Sequence, residues 1–539
     1  DALGVIPTFG DDSAVPMNPD QNLYLYGKLT YQLTDQLKIN ASSIWEDRSY
    51  KDYDDGWRYI PDGILNRNHR GRTNMLRALY GLSNSAFIEA GYSNTYTEYY
   101  HYLYEDPYDS RYVNPFYERI NPGITMNIGG TNMDHFRRFT DTHTGLAKLN
   151  WQIDPIHYVV AGFNVNFNTV HYDQFSILHD NDFVQPDNLM DPQPIMFSPE
   201  IEDFTKLSHD MYFKNPFEAA VYVQDKIELK NFIVNAGLRF DYFDPDGKVL
   251  SDPADPNIYQ PMIESRRELT LEERWKSWYE DVDPKWQVSP RLGVAYPISP
   301  TGVLHFAYGH FFQRPRYEYL YANPEFELDP GQTIGTLMGN ADLEAEKTIS
   351  YEFGLQQAVT EDLSLGLSIF QRDIRNLVST DKIVTTYEAG TKYTQYVNRD
   401  YGEIKGIVLS MNKRYSNGFS GQLNYTYQIA EGNASDPQDA LNASRGDKEP
   451  IKVLLPLDWD RRHTINMTVN YFQPDIWGAS MITYYGSGLP YTSVNRSDDI
   501  AVETFMENDS RKPSYFNVDL NAFYYLPFFK GTGITASVE

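Results

Sequence analysis

Apolar and polar residues alternate with a period of two along most of this chain, and the breaks between such runs are short and long in strict turn. The short breaks fall at Asp35-Gln36, Asn84-Ser85, Asp154-Pro155, Lys230-Asn231, Ser299 to Gly302, Glu361-Asp362, Asn417-Gly418, Pro474-Asp475 and Lys530 to Gly533. Long Asp-, Tyr- and Pro-rich excursions, such as 49–71, 99–136, 173–215, 244–286 and 314–345, lie between them. A period of two belongs to strands, whose successive side chains point to opposite faces. Nine turns with eight intervening loops predict about eighteen antiparallel strands, with every pair trimmed at one end and bulky at the other. A soluble sandwich has no reason to sort loop length by end.

Segment 418–430 shows the period clearly: Phe419, Leu423, Tyr425, Tyr427 and Ile429 share one face, and Ser420, Gln422, Asn424, Thr426 and Gln428 the other. In 232–242, Phe232, Val234, Ala236, Leu238, Phe240 and Tyr242 oppose Asn235, Arg239 and Asp241. A sandwich buries its apolar faces against each other, whereas a membrane barrel turns them to lipid and lines its lumen with the polar ones. Many runs reach ten or more residues a side, the length that crosses a bilayer at a tilt, where ordinary strands are nearer 5–6 residues. Short turns at one end and long loops at the other complete the pattern. The sequence therefore predicts an all-β protein, a large transmembrane antiparallel β-barrel with long extracellular loops and short periplasmic turns.

The bulk numbers fit that class. The chain has 539 residues, a formal charge of -28, no Cys, 43 Tyr and 29 Phe. No linker or change of composition divides it, so residues 1–539 are expected to form one barrel domain. No run nears the roughly 18 apolar residues of a membrane helix. The absence of Cys excludes disulfides and thiolate metal sites, and the acidic balance argues against nucleic acid as a partner. The chain opens at Asp1 without a signal peptide and stops inside a strand at Glu539, so further segments are expected beyond both ends.

Three stretches carry a family resemblance. AAVYVQDKIELKNFIVNAGLRFDYF (219–243), SPRLGVAYPISPTGVLHFAYGHFFQRP (289–315) and NADLEAEKTISYEFGLQQAVTEDLSLGLSIFQRDIRNLV (340–378) are similar to hairpins of TonB-dependent outer-membrane receptors. The likeness is to the Oar-like type of Bacteroidota and relatives in particular. The third stretch is the most specific, although Ala341 and Ala345 stand where the family often has Pro. The resemblance covers most of 219–539. It implies a barrel of 22 strands, of which about 18 are present here, a plug domain inside it, and a short box that pairs with TonB. It further implies a place in the cell outer membrane of a Gram-negative-type bacterium, amid outer-membrane lipid and lipopolysaccharide.

H-E-x-x-H, P-loop, G-x-S-x-G and Cys/His patterns do not occur, so neither an enzyme nor a cofactor is expected. Asp244-Pro245-Asp246-Gly247 places Gly fourth where a calcium loop has it sixth, and it reads as a solvated turn. Asp106 and Asp109, or Asp252 and Asp255, are weak candidates to gather divalent ions. Ligand contact is expected from loop aromatics, because loops on a rigid scaffold carry binding residues: Tyr99, Tyr100, Tyr102 and Tyr104; Tyr317, Tyr319 and Tyr321; Trp275 and Trp278. The two Trp and Tyr279 lie in a segment expected to be helical, capped by Thr270 with Glu273 as its partner. Charge inside a strand is costly on the lipid side, so Lys226, Arg239 and Asp241, with Asp225 beside them, are expected to face the lumen or a plug. The expected function is TonB-dependent import of a scarce solute: a siderophore, vitamin, glycan or peptide. A passive porin-like channel and a surface scaffold or adhesin binding another protein are the alternatives.

Overall fold

Side chains at the short breaks satisfy the turn backbone. Thr34 Oγ1 accepts from the Leu37 amide at 3.0 Å, and Asp154 Oδ1 accepts from the Ile156 and His157 amides at 2.7 and 2.8 Å. Asn417 and Gly418 take φ of 50° and 85°, the left-handed pair that matches the twist of flanking strands in a two-residue hairpin. The structure, a computed structural model, describes residues 15–538 apart from 115–118, 122–125, 181–196, 329–334, 446–452, 475, 498–499, 504–506 and 530–531. Asp475 and part of the final turn therefore lie outside the described residues.

The turns join consecutive strands, here numbered in chain order: β1 (Asp20–Gln32), β2 (Leu37–Tyr50), β3 (Asn66–Ser83), β4 (Ala86–Tyr102), β5 (Asp134–Gln152), β6 (His157–Ser176), β7 (Phe217–Glu228), β8 (Ile233–Asp244) and β9 (Lys285–Ser299). The series continues with β10 (Gly302–Gln313), β11 (Glu346–Ala358), β12 (Leu363–Thr385), β13 (Lys392–Ser416), β14 (Phe419–Gly432), β15 (His463–Gln473), β16 (Trp477–Gly486), β17 (Tyr515–Phe529) and β18 (Thr532–Val538). All belong to one 21-stranded sheet, whose other three members are the short segments His209–Lys214, Thr336–Met338 and Leu455–Pro456. The eighteen long strands pair antiparallel with their sequence neighbours, from β1–β2 through β17–β18. This is the predicted number.

Register separates the two faces. One row runs Ala90, Ala147, Phe163, Val221, Phe240, Val288 across β4 to β9. The neighbouring row, one residue away, runs Gly91, Leu146, Asn164, Ala220, Asp241, Gln287. Large apolar side chains on the first face stand open, among them Leu76, Phe163, Val221, Leu238, Phe353, Ile369 and Leu409. An apolar surface spread over a whole sheet face marks a membrane contact. No second sheet covers it among the described residues, so the sandwich alternative fails. The polar face carries cross-strand pairs such as Thr142 Oγ1 to Asn168 Oδ1 and Thr144 Oγ1 to Asn166 Oδ1, both 2.9 Å.

Strands extend further than the sequence reading allowed. The spans 49–71, 99–136 and 173–215 were expected to be loop, yet β3 begins at Asn66, β4 runs to Tyr102, β5 starts at Asp134 and His209–Lys214 pairs with β6. The cause is loss of contrast: at this height the apolar face turns polar, with Arg70 opposite Glu98 and Arg137 opposite Asp173. Without greasy residues on one side, period two no longer shows.

The loop layer and the polar wall as candidate functional site

Two long connections, 245–284 and the described part of 314–345, fold together over one end of the wall. The helix Leu271–Trp275 is capped as predicted, with Thr270 and Glu273 bonded reciprocally. It is shorter than expected, because Trp278 and Tyr279 lie beyond it and Tyr279 opens a short strand, Tyr279–Asp281. Trp278 is only 4% exposed; its indole N–H donates to the Pro256 carbonyl at 3.0 Å and Arg266 lies over its ring at 5.0 Å. Arg266 also engages one of the two carboxylate pairs considered for metal, Asp252 at 2.9 Å and the fully buried Asp255 at 3.1 Å. Asp109 is likewise taken, by Arg111 at 2.7 Å. Trp275 alone remains open, 42% exposed, with its ring against Tyr279.

The helix Tyr317–Tyr321 lies against the polar side of the wall. Leu320 and Tyr321 share a core with Val170 and Tyr212, which follow the parity of the Asn face of β6. The Tyr321 hydroxyl donates to the Pro245 carbonyl, tying this loop to the other. Tyr317 stacks on Tyr321 beneath the Arg314 guanidinium at 4.0 Å, and its buried hydroxyl has no partner among the described residues. Tyr319 packs on Tyr396 at 4.9 Å. A second shared core, Phe326, Leu328, Met338 and Tyr393, takes in Leu250, Met262 and Tyr279, and Tyr393 donates to the Pro253 carbonyl at 2.8 Å. Asp246, in the turn expected to be solvated, accepts from the Asn215 amide at 2.7 Å.

An acidic group missed in the sequence reading sits inside this layer. Glu327 is 3% exposed and one carboxylate oxygen has no partner among the described residues. Burial, then Asp210 and Glu325 nearby, push its acid up to about 8. Glu325 is raised by burial too, although it accepts from the Tyr259 hydroxyl at 3.0 Å.

The four tyrosines near residue 100 do not form one site. Tyr99 is on the polar face, bonded to Arg67 at 2.5 Å and packed on Phe136. Tyr100 and Tyr102 take the opposite face, because β4 persists through them. Tyr104 lies past the strand, under Arg111 at 3.9 Å. Arg239 and Asp241 share the polar face and bridge at 2.7 Å; Lys226 has the same parity and pairs with Glu228 at 2.5 Å. Asp225 departs from the expectation: it takes the parity of Val221 and Val223, near the turn, and bonds His157 at 2.7 Å. On the polar face a cavity of about 660 Å³ is floored by Gly237, Gly293 and Gly309, with Arg291 and Arg372 beside it. Arg291 lies over Phe311 at 5.0 Å. The signal for this hollow was present as glycines at polar-face positions.

A family model described as "TonB dependent receptor-like, beta-barrel" matches residues 22–539. The chain belongs to that family. The receptor barrel lies in the Gram-negative outer membrane, with its apolar face to lipid and its polar face to the lumen. Solved structures share its fold at low identity. The outer membrane transporter YddB from Escherichia coli is 14% identical, with a TM-score of 0.64 over 96% of this chain and 64% of that one. The FrpB iron transporter from Neisseria meningitidis (F3-3 variant) is 12% identical, with a TM-score of 0.57 over 94% and 65%. The siderophore receptor PirA from Acinetobacter baumannii is 14% identical, with a TM-score of 0.57 over 100% and 68%. This receptor chain thus spans under two thirds of the length of YddB. No curated protein matches it in sequence.

Proposed function

We propose that this barrel is the membrane part of a TonB-dependent importer of a scarce solute too large for porins, working with a plug and TonB. The observation that carries the reading is the arrangement of the two ends. A wide polar-lined wall meets short turns on one side and an interlocked loop layer on the other, and that layer rests on the lumen side through Val170 and Tyr212. The family fits this reading, and PirA and FrpB are described as siderophore and iron transporters. Motif details in 340–378 favour the Oar-like branch. Among the aromatic candidates, the exposure of Trp275 and the polar-face position of Tyr99 support a role in solute contact, while Trp278 and Tyr321 hold the layer together. Arg239 and Asp241 face the space a plug would fill.

The test is conductance and energised uptake by the full receptor. Planar bilayers containing it should show no steady open pore, and cells should lose growth on the scarce solute when TonB is removed. A stable ohmic conductance of porin size, with growth indifferent to TonB, would replace the importer with a passive channel.

A further inference from the structure

Tyr100 and Tyr102 were expected to serve solute capture, but register puts them on the outer face of the wall, in line with lipid-facing Tyr92, Ala90 and Ile88. Tyr100 is fourteen residues from the turn end of β4 at Ala86. At about 3.4 Å per residue and a tilt near 40°, that is a rise of about 36 Å, some 10 Å past an apolar band of about 25 Å. The outward surface at this height faces the saccharide layer of the outer leaflet and not hydrocarbon.

The surface there is built and concave. A cavity of about 420 Å³ opens between β3, β4, β5 and β6. One side is a continuous stack of rings: Tyr100 on Tyr102 at 5.4 Å, Tyr102 on His135 at 5.6 Å, and His135 on Phe175 at 4.9 Å. Tyr100 and His135 are buried and brace the partly open Tyr102 and Phe175. The other side is polar, with Arg137 bonded to Glu98 at 2.8 Å, Asp173 opposite Arg137 in register, and Arg70 opposite Glu98. Aromatic planes beside fixed carboxylates and guanidiniums suit one class of ligand. A pyranose lays its C–H face on a ring and gives its hydroxyls to charged acceptors and donors. The charge balance selects further: Glu98, Glu105 and Asp173 outnumber Arg70 and Arg137 around the cavity, which repels a bare phosphate and favours neutral sugar.

We infer that this outer-wall cavity binds a neutral sugar in the head of an outer-leaflet glycolipid, seating the barrel in its membrane independently of the transported solute. The surface continues the lipid interface upward, so its occupant arrives already anchored beside it.

The test uses full-length receptor in nanodiscs carrying defined glycolipids, with retention read by native mass spectrometry. Core-bearing rough lipopolysaccharide should stay bound to wild type, and its occupancy should fall at least about fivefold in Tyr102→Ala and in the milder Asp173→Asn. Lipid A without core sugars should be retained weakly and equally by all three. Heat-modifiable gel mobility reports that each variant is folded, and Asp173→Asn preserves side-chain volume should Tyr102→Ala fail that check. Undiminished retention in a folded variant overturns the inference, as does equal retention of lipid A lacking core sugars. Tight binding of the free, deacylated core oligosaccharide also overturns it, since the cavity would then be a solute site.

Discussion

Leu238 tests the assignment of faces most directly. It is 51% exposed on the apolar side of β8, between Val223 and Pro290 in register. It lies five residues from the turn end of the strand at Ile233. Five residues rise about 17 Å along the strand and about 13 Å along the membrane normal at a tilt near 40°, the middle of a band about 25 Å tall. Leu238→Arg should therefore cost about 2–4 kcal/mol, a factor of roughly 30 to 900 in the folding equilibrium. Gln224 supplies the matched control, because it sits at nearly the same height, opposite Gly237 on the polar face. Gln224→Arg should cost about 0.5 kcal/mol or less. The assay is reversible denaturant unfolding of the full receptor in lipid vesicles, followed by tryptophan fluorescence and gel mobility. Equal costs for the two variants, or the reverse order, would refute the reasoning, since the lipid and lumen faces would then be exchanged or absent.

Three further outcomes follow from local geometry. Gly418→Ala should cost about 1 kcal/mol or more in thermal unfolding, because the residue holds φ 85° and a Cβ would meet the Tyr471 ring at 2.8 Å. Asp460→Asn should loosen the loops 433–462 and 487–514 by about 3–5 kcal/mol, since the buried carboxylate holds Arg462 at 2.8 Å and Arg511 at 2.5 Å; limited proteolysis of these loops, with an unchanged barrel melt, checks it. The loop layer around Glu327 should weaken as pH rises. The unfolded carboxyl ionises near its ordinary 4.5 while the folded one keeps its proton to about 8. The folded layer therefore binds more protons inside that window, its stability falls across it, and no further change comes above it. Amide exchange of 323–328 at pH 5 and at pH 8 reads this, and Glu327→Gln should flatten the profile.

Turns and strand count were legible because their chemistry is local. Asn417-Gly418 declares a hairpin wherever it lies, and the polar and apolar rows of 232–242 announce their faces without help from distant residues. The upper strand ends were not legible. Once Arg70, Glu98 and Asp173 replace aliphatic residues on the outer face, neither side is greasy and the period fades. The same loss hid the split between Tyr99 and Tyr100, two neighbours that a loop reading placed together. Loop contents were illegible for another reason. Whether Trp278 meets solvent depends on Pro256 and Arg266, and whether Tyr321 meets solvent depends on Pro245, contacts that no periodicity encodes. Glu327 was missed because a Glu in a loop carries no sign of its burial.

The two loops that share Tyr321, Pro245 and the cluster around Met338 work as keystone and arch. Shortening one strips the apolar backing from the other, so neither can change length alone. Insertions and deletions that adapt the receptor to a new cargo should instead collect in the remaining surface connections, leaving this pair as the fixed part of an otherwise changeable rim.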